Sequence, residues 1–568
     1  MTEMELYKRW SSMELEDPDL TKELKDIQNA PEEIHDRFYR ELEFGTAGLR
    51  GVIGAGVNRM NIYTVRRATQ GLADYVNEKY QQPKVAIAYD SRIKSDLFAR
   101  ESAAVLAANG IHVYLYSELM PTPMLSFAVR ELHCQSGIVV TASHNPSKYN
   151  GYKVYGDDGC QMTSESANAV LEKINHVDIF TGVKHKPFED CLKEGSVEYI
   201  SQEVIDSFLD HVMALQVNPE AARKAGLKVV YTPLNGTGNK PVRKILSRMG
   251  IDTVAVVPEQ ENPDGNFPTC PYPNPEIRQA LEKGIELCEK LSYDMLLATD
   301  PDADRVGIAV KHEGKYVLLT GNEVGALLLD YIARNRQEKG TMPNNPITVK
   351  TIVTTKLIDA IAKSYGVEVV NVLTGFKYIG EQILRLEQKG EKERYIFGFE
   401  ESYGYLSGTH VRDKDAVNGS MLICEMASYY KLQGKTLVTA LNELYEKHGQ
   451  FIDTQQSFAF EGSEGMVKMQ NIMDGLRKNG IASVAGKKVI ATADYQTSVR
   501  KDANGEQTIH LPKSNVLEYG LEGGASVIVR PSGTEPKIKI YYSILGNTRA
   551  EAQTLLEAIK QDMGKYME

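Results

Sequence analysis

KVAIAYDSRIKSDLFARESAAVLAANGIHVYLYS, residues 84–117, decides how this chain is read. Its first seven residues, KVAIAYD (84–90), form a short apolar run suited to a buried strand that ends in a loop. LFARESAAVLAAN (97–109) follows with helical spacing and many strong helix formers, and Gly110 is a candidate cap at its end. IHVYLYS (111–117) is the next strand. The same rhythm recurs in LKVVYTP (227–233) before a helix, in TVAVVP (253–258) and in YDMLLATD (293–300). It returns in ITVKTIVTT (347–355) before another helix and in VEVVNVLTG (367–375). Alternation of this kind predicts α/β units with largely parallel sheets. A helix over 419–447 is expected to close the third unit, with the glycine of KHGQF (447–451) marking a seam. Beyond about residue 450 the rhythm changes. FIDTQQSFAFEG, a helix near 464–478, KKVIATADYQTS, SVIVRPSGTEPKIKIYYSIL and a terminal helix read as a smaller α+β domain. The Pro- and Asn-rich stretch 258–276 is read as an ordered loop, because apolar and aromatic residues interrupt it.

A chain of 568 residues has room for several domains, each with its own core. Its formal net charge of −11 argues against a general nucleic-acid or anionic-membrane binder, although a local basic pocket remains compatible with it. Cys134, Cys160, Cys191, Cys270, Cys288 and Cys424 are scattered, with no CxxC pair and no zinc spacing, so free thiols in a reducing compartment are expected. The N-terminal stretch MTEMELYKRWSSMELEDPDL has no apolar core for a signal peptide, and no run is long enough to span a bilayer. A cytoplasmic location is expected.

Four loops could carry chemistry. TASHNP (141–146) places Ser143 beside His144. It is not the G-x-S-x-G turn of an α/β hydrolase, and adjacency alone does not make His144 a base for Ser143. An ordinary turn is the plain alternative, since Ser, Asn and Pro all favour turns. TDPDADR (299–305) alternates Asp300, Asp302 and Asp304 directly after a strand. Three close carboxylates repel one another and call for a hard divalent cation. An EF-hand would need Gly and Glu where Arg305 and Lys311 stand, so Mg²⁺ with a phosphate ligand fits better than Ca²⁺; a solvated acidic turn is the alternative. GFEESYGY (398–405), preceded by TGFKYIG (374–380), offers carboxylates suited to sugar hydroxyls, a signal also common on ordinary surfaces. RPSGTEPKIKIYY (530–542) gathers Arg530, Ser532, Gly533 and Thr534 within five residues, followed by Lys537 and Lys539. That composition suits a phosphate cradle, and a β-turn with a basic edge is the alternative.

Taken together and in this order, TASHNP, DPDADR, GFEES and RPSGTEP resemble the α-D-phosphohexomutase superfamily over nearly the whole chain. EFGTAGLRG (43–51), PDGNFPT (263–269), LTGFKYIG (373–380) and GFEESYGY look most like its bacterial α-phosphoglucomutase branch, which is related to phosphopentomutases. The resemblance implies four domains around a central cleft: three related mixed or parallel α/β domains over 1–207, 208–321 and 322–450, and a C-terminal α+β domain over 451–568. These would carry the phosphoserine, metal, sugar and phosphate loops respectively. It implies that Ser143 carries a phosphoryl group, with one Mg²⁺ held by Asp300, Asp302, Asp304 and the Ser143 group. Arg50 matches an arginine that helps hold this phosphate, and Arg305 extends the metal loop. Thr374, Gly375, Glu400 and Ser402 would contact the sugar, while Arg530, Ser532, Gly533 and Thr534 would grip the phosphate that is not reacting. His144, Lys153 and Lys414 are the acid/base candidates, undivided.

The implied activity interconverts glucose 1-phosphate and glucose 6-phosphate through glucose 1,6-bisphosphate, which also serves as activator. Phosphopentomutase is the close alternative. Phosphomannomutase is disfavoured because Glu400-Glu401-Ser402-Tyr403-Gly404 stands where that branch carries Glu-Met-Ser-Gly-His. A Mg²⁺-dependent sugar phosphatase and a sugar-phosphate sensor are the readings from other classes. Small sugar phosphates are the expected partners of a monomer or weak homo-oligomer, with neither nucleic acid nor membrane.

Overall fold

The computed structural model describes residues 1–45, 48–460, 465–532 and 536–568. The chain divides into two compact units. The first comprises residues 1–321, 379–398 and 402–436, and the second residues 322–378, 399–401 and 437–568.

The first unit holds two sheets. In the N-terminal sheet the strands lie in the order Gly48–Val52, Tyr149–Gly156, Ser136–Val140, Lys84–Tyr89, His112–Leu115, Val197–Tyr199. The last four run parallel, and the helix Ser95–Ala108 makes the crossover that KVAIAYD and IHVYLYS predict. Gly110, at φ +76°, follows that helix in the left-handed conformation that a glycine adopts freely. In the second sheet the order is Lys315–Leu319, Val306–His312, Met295–Thr299, Val229–Thr232, Val254–Val256, of which the last three are parallel.

One edge of each sheet is antiparallel, which makes these largely parallel sheets mixed. Gly48–Val52 and Tyr149–Gly156 are antiparallel additions to the first sheet, as are Val306–His312 and Lys315–Leu319 to the second. The reason is connection length. Residues 141–148 join adjacent antiparallel strands, and so do residues 300–305. A parallel return would need a crossover of a dozen or more residues. The serine loop and the aspartate loop are therefore both hairpin connections.

Three N-terminal helices, Glu3–Ser12, Pro18–Asp26 and Pro31–Phe38, precede the first strand and were not read from the sequence. They are anchored by Trp10, which is fully buried against Phe38, Tyr63 and Phe180 with edge-on ring contacts of 5.2–6.2 Å. The helix expected over 419–447 is two helices, Ala416–Leu432 and Leu437–His448. The first is capped by Asp415, whose carboxylate accepts from the N–H groups of Val417 and Asn418. Gly434, at φ +71°, is where the helical path breaks. The first of these helices belongs to the first unit and the second helix to the second.

In the second unit Ile347–Thr351 pairs in parallel with Glu368–Val372. ITVKTIVTT stops being a strand at Thr351, where the N–H of Thr354 turns back to the Thr351 carbonyl at 3.0 Å. The C-terminal sheet is antiparallel, in the order Gln450–Ala459, Lys537–Gly546, Ser526–Pro531, Leu517–Leu521, Lys487–Asp494, Val499–Asp502, Gly505–Thr508. Helices Gly465–Asn479 and Arg549–Gly564 cover it, with Met469, Met473, Leu556 and Ile559 packed in one core with Val527 and Ile538. This is the α+β domain the sequence suggested. All six cysteines are free and buried. Among the described residues no helix is long and apolar enough to cross a membrane.

Candidate active site

Ser143 stands in the left-handed region at φ +52°, a conformation that costs a non-glycine residue about 1 kcal/mol and is held only by its surroundings. Its N–H donates to Thr141 Oγ1 at 2.8 Å. Its hydroxyl donates to Asp300 Oδ2 at 3.0 Å and lies 3.2 Å from His144 Nδ1. The His144 imidazole is half-buried; burial and the neighbouring Arg305 and Arg50 charges push it well below its ordinary range, so it is neutral at pH 7.

Asp300, Asp302 and Asp304 are all buried, and one oxygen from each lies within 4.8 Å of the others. The turn is shaped by Asp300 Oδ1, which accepts from the N–H groups of Asp304 and Arg305 at 3.1 and 3.0 Å. Three carboxylates so placed cannot all ionise at ordinary values. Burial and the two flanking carboxylates push Asp300 well above its usual range, and burial and Asp302 push Asp304 up. Burial alone would raise Asp302 too, but the Lys153 ammonium and a hydrogen bond with Asp300 hold it well below. Asp302 Oδ1 and Asp304 Oδ1 are buried and have no hydrogen-bond partner among the described residues. A buried, all-oxygen set with two unsatisfied acceptors among the described residues fits a hard divalent cation.

Cations surround the triad. Lys153 Nζ is 3.0 Å from Asp302 Oδ2 and 3.8 Å from Asp304 Oδ2, and Lys414 Nζ is 3.1 Å from Asp304 Oδ2. Arg50 lies opposite Gly151 in the antiparallel ladder, which puts it on the same sheet face as Lys153, and it is exposed. Arg305 donates to Glu276 Oε1 at 2.6 Å and to the Ser402 carbonyl at 3.2 Å. The first unit thus brings together Arg50, Ser143, His144, Lys153, the three aspartates, Arg305, Ser402 and Lys414.

The second unit holds the other candidates. Glu400, 5% exposed, accepts from the Gly375 N–H at 2.9 Å, and Thr374 Oγ1 is buried without a hydrogen-bond partner among the described residues. Thr351 Oγ1 donates to Glu401 Oε2 at 3.3 Å. Arg530 faces Lys539 across the ladder and hydrogen-bonds Tyr541, a phenol that burial and the Glu401 charge push up to about 12. Ser532 donates its N–H to the Lys537 carbonyl at 2.7 Å. Gly533 and Thr534 lie outside the described residues.

Several supporting residues escaped the sequence reading. Thr122 donates through Oγ1 to Asp302 Oδ2 at 3.0 Å and through its N–H to the Asp302 carbonyl at 2.9 Å. Asp413 accepts from Lys414 Nζ at 3.2 Å and from the Tyr155 hydroxyl at 2.6 Å. Glu276, the last residue of the stretch read as an ordered loop, accepts from Arg305 Nη1 at 2.6 Å. Arg92 gathers three carbonyls of the serine loop and that of Tyr149, where the next strand begins. The one local signal for Arg92 was its place in YDSR, at the end of the strand Lys84–Tyr89.

Three family models match in chain order: phosphoglucomutase/phosphomannomutase alpha/beta/alpha domain I over residues 41–179, domain II over 206–314 and domain III over 320–448. A phosphoglucomutase of Staphylococcus haemolyticus is 38% identical over 533 residues, 93% of this chain and 94% of its own. One of Staphylococcus saprophyticus is 36% identical over 551 residues, 96% of this chain and 97% of its own. Among solved structures, the exocytosis-sensitive phosphoprotein parafusin of Paramecium, a phosphoglucomutase, superposes with a TM-score of 0.68 at 16% identity, over 93% of this chain and 95% of that one. A family protein of Burkholderia thailandensis gives 0.66 at 18% identity, over 92% and 97%. Three α/β domains followed by an α+β domain are the phosphohexomutase architecture. The chain belongs to the phosphoglucomutase/phosphomannomutase family, which bears out the resemblance carried by the four loops.

Proposed function

We propose that this protein interconverts α-D-glucose 1-phosphate and glucose 6-phosphate, with Ser143 carrying the transferred phosphoryl group and glucose 1,6-bisphosphate as intermediate and activator. The observation that carries this reading is the Ser143 hydroxyl, set 3.0 Å from a buried carboxylate triad within reach of several cations. It is supported by relatives named phosphoglucomutase at 36–39% identity over most of the chain.

A phosphoserine brings nearly two negative charges into this loop. Asp300, Asp302, Asp304 and the Ser143 group would hold one Mg²⁺, which when bound neutralises that charge and polarises the P–O bond. Arg50, exposed on the strand Gly48–Val52, is assigned to the phosphoryl oxygens, a role that its guanidinium fork suits. In the first transfer the free hydroxyl oxygen of a sugar monophosphate bonds to phosphorus and gives its proton to a side chain of the site, while the Ser143 Oγ–P bond breaks and Oγ takes a proton. In the second, Ser143 Oγ gives up that proton and bonds to the other phosphorus of the bisphosphate, while the sugar O–P bond there breaks and the sugar oxygen takes a proton.

The proton carriers are His144, Lys153 and Lys414. His144 is held neutral and touches Oγ, so it can accept a proton there. Lys153 and Lys414 are tethered to the triad and differ in their second partners. Thr374, Gly375, Glu400 and Ser402 are assigned to sugar hydroxyls. Arg530, Ser532, Gly533 and Thr534 are assigned to the phosphate that is not reacting. The domain boundaries that accompany this reading are 1–207, 208–321, 322–450 and 451–568, for a cytoplasmic monomer or weak homo-oligomer.

The test is turnover with Mg²⁺ and the matching bisphosphate on glucose 1-phosphate, ribose 1-phosphate and mannose 1-phosphate. A kcat/KM at least about tenfold higher for glucose 1-phosphate is expected, a difference of roughly 1.4 kcal/mol in transition-state binding. A preference for ribose 1-phosphate would reassign the protein as a phosphopentomutase and overturn the assignment of the sugar-binding residues.

A further inference from the structure

The serine loop has no glycine where its backbone turns left-handed, so surrounding contacts must hold Ser143 at φ +52°. Those contacts are identifiable. Arg92 lies just beyond the strand Lys84–Tyr89, and its side chain is fully buried. Its Nη2 donates to the carbonyls of Ser143, at 2.5 Å, and Asn145. Its Nη1 donates to those of Pro146 at 3.0 Å and Tyr149 at 3.1 Å. One guanidinium therefore takes three carbonyls of the loop that follows Ser136–Val140 and a fourth from Tyr149, the first residue of the strand Tyr149–Gly156. Only a planar fork with paired N–H groups does this from one position; an ammonium has three donors radiating from a point.

The fork is itself held. Asp90 Oδ2 lies 3.3 Å from Arg92 Nε. The same carboxylate accepts from Thr141 Oγ1 at 2.6 Å, from Ser95 Oγ at 2.8 Å and from the Arg92 N–H at 2.9 Å. Thr141 in turn accepts the Ser143 N–H. The Phe267 ring, from the PDGNFPT stretch, covers the guanidinium at 5.1 Å. Asp90, Thr141 and Arg92 thus grip the residues on both sides of the Ser143 hydroxyl without touching it.

We propose that Arg92 is a positioning residue. By binding the carbonyls of residues 143, 145, 146 and 149, it fixes the backbone conformation in which the Ser143 hydroxyl meets the aspartate triad. This rests on the function proposed above for Ser143. Arg92 reaches neither the triad nor the hydroxyl in any described contact, so its loss acts on the placement of the phosphoryl carrier.

Full-length wild type, Arg92→Lys and Arg92→Gln are compared by steady-state kinetics on glucose 1-phosphate and by hydrogen exchange. Misplacement of a reacting group by about 1 Å costs on the order of 100-fold in rate. Both variants are expected to lose kcat by that order, with KM within about threefold. Amide exchange is expected to rise in peptides spanning 141–149 but not in the rest of the N-terminal sheet. Wild-type kcat in a folded Arg92→Lys, or unchanged exchange across 141–149, would overturn the proposal. So would a rise in exchange throughout the domain in both variants, since Arg92 would then be a general stabiliser. If the wild type fails to turn over glucose 1-phosphate, the functional reading falls, while the exchange comparison still decides whether Arg92 holds the loop.

Discussion

Ser143 combines three properties seldom found in one surface-loop serine: left-handed backbone, near-complete burial and a hydrogen bond to a buried aspartate. The left-handed backbone costs free energy in an unliganded fold, and strain of this kind concentrates at working sites. Asp302 belongs to the same economy of charge. It is the triad member held most strongly ionised, through Lys153, so Asp302→Asn should cut kcat by about 100-fold or more while leaving the fold intact. Chelation should stop the wild type and added Mg²⁺ restore it; turnover indifferent to chelator would remove the metal role from all three aspartates. In the second unit, Arg530→Ala should raise KM about tenfold or more with a smaller change in kcat, which initial-rate kinetics read directly. Unchanged kinetics would take Arg530 out of phosphate binding. Ser143 and the three aspartates were legible because their chemistry is local: four or five adjacent residues carry it. Arg92, Thr122, Glu276 and Asp413 were not, because each acts through a contact between segments distant in sequence, between 29 and 258 residues apart for Glu276–Arg305 and Asp413–Tyr155.

At the scale of elements, the strand and helix rhythm was visible wherever apolar runs were buried on both faces. What escaped was direction. Antiparallel strands such as Val306–His312, paired on both sides and buried over most of its length, look in sequence like parallel ones, and only the short hairpin connection distinguishes them. The break in the helix read over 419–447 turns on Gly434. With open space around it and φ +71°, Gly434→Ala should destabilise by about 1 kcal/mol from backbone strain alone, measured as a shift of the denaturation midpoint without change in slope. The long helix Ile62–Lys79 is fastened by Arg66, which binds Glu16 at 2.6 Å and Glu101 at 2.5 Å. Burial opposes the Glu101 charge, but hydrogen bonds from His185 and Arg66 hold its carboxyl below the usual 4.5. A folded-state pKa below the unfolded value means that this contribution is present above about pH 4.5 and is lost as pH falls further. Glu101→Ala should cost about 2 kcal/mol at pH 7 and less at pH 3, as denaturant titrations at the two pH values would show. An equal cost at both would mean that the carboxylate charge contributes nothing.

For the whole molecule, the family match supplies what no single loop could: three domains in chain order across residues 41–448. In the acidic chain, Lys153 and Lys414 are drawn to the buried aspartate triad as local counter-charges. All six thiols are free and buried, and burial raises Cys134, Cys288 and Cys424 to about 12. A thiol reagent should therefore react slowly with the native protein and with six equivalents after denaturation, and a reductant should leave the melting temperature unchanged. The most direct test of the account is to load the enzyme from glucose 1,6-bisphosphate, locate the phosphate by peptide mapping, and follow its discharge by glucose 6-phosphate. The account predicts one phosphoryl group, on Ser143, discharged at least as fast as turnover and absent from Ser143→Ala, which should be inactive. A phosphate on another residue, discharge slower than turnover, or an active Ser143→Ala would contradict it.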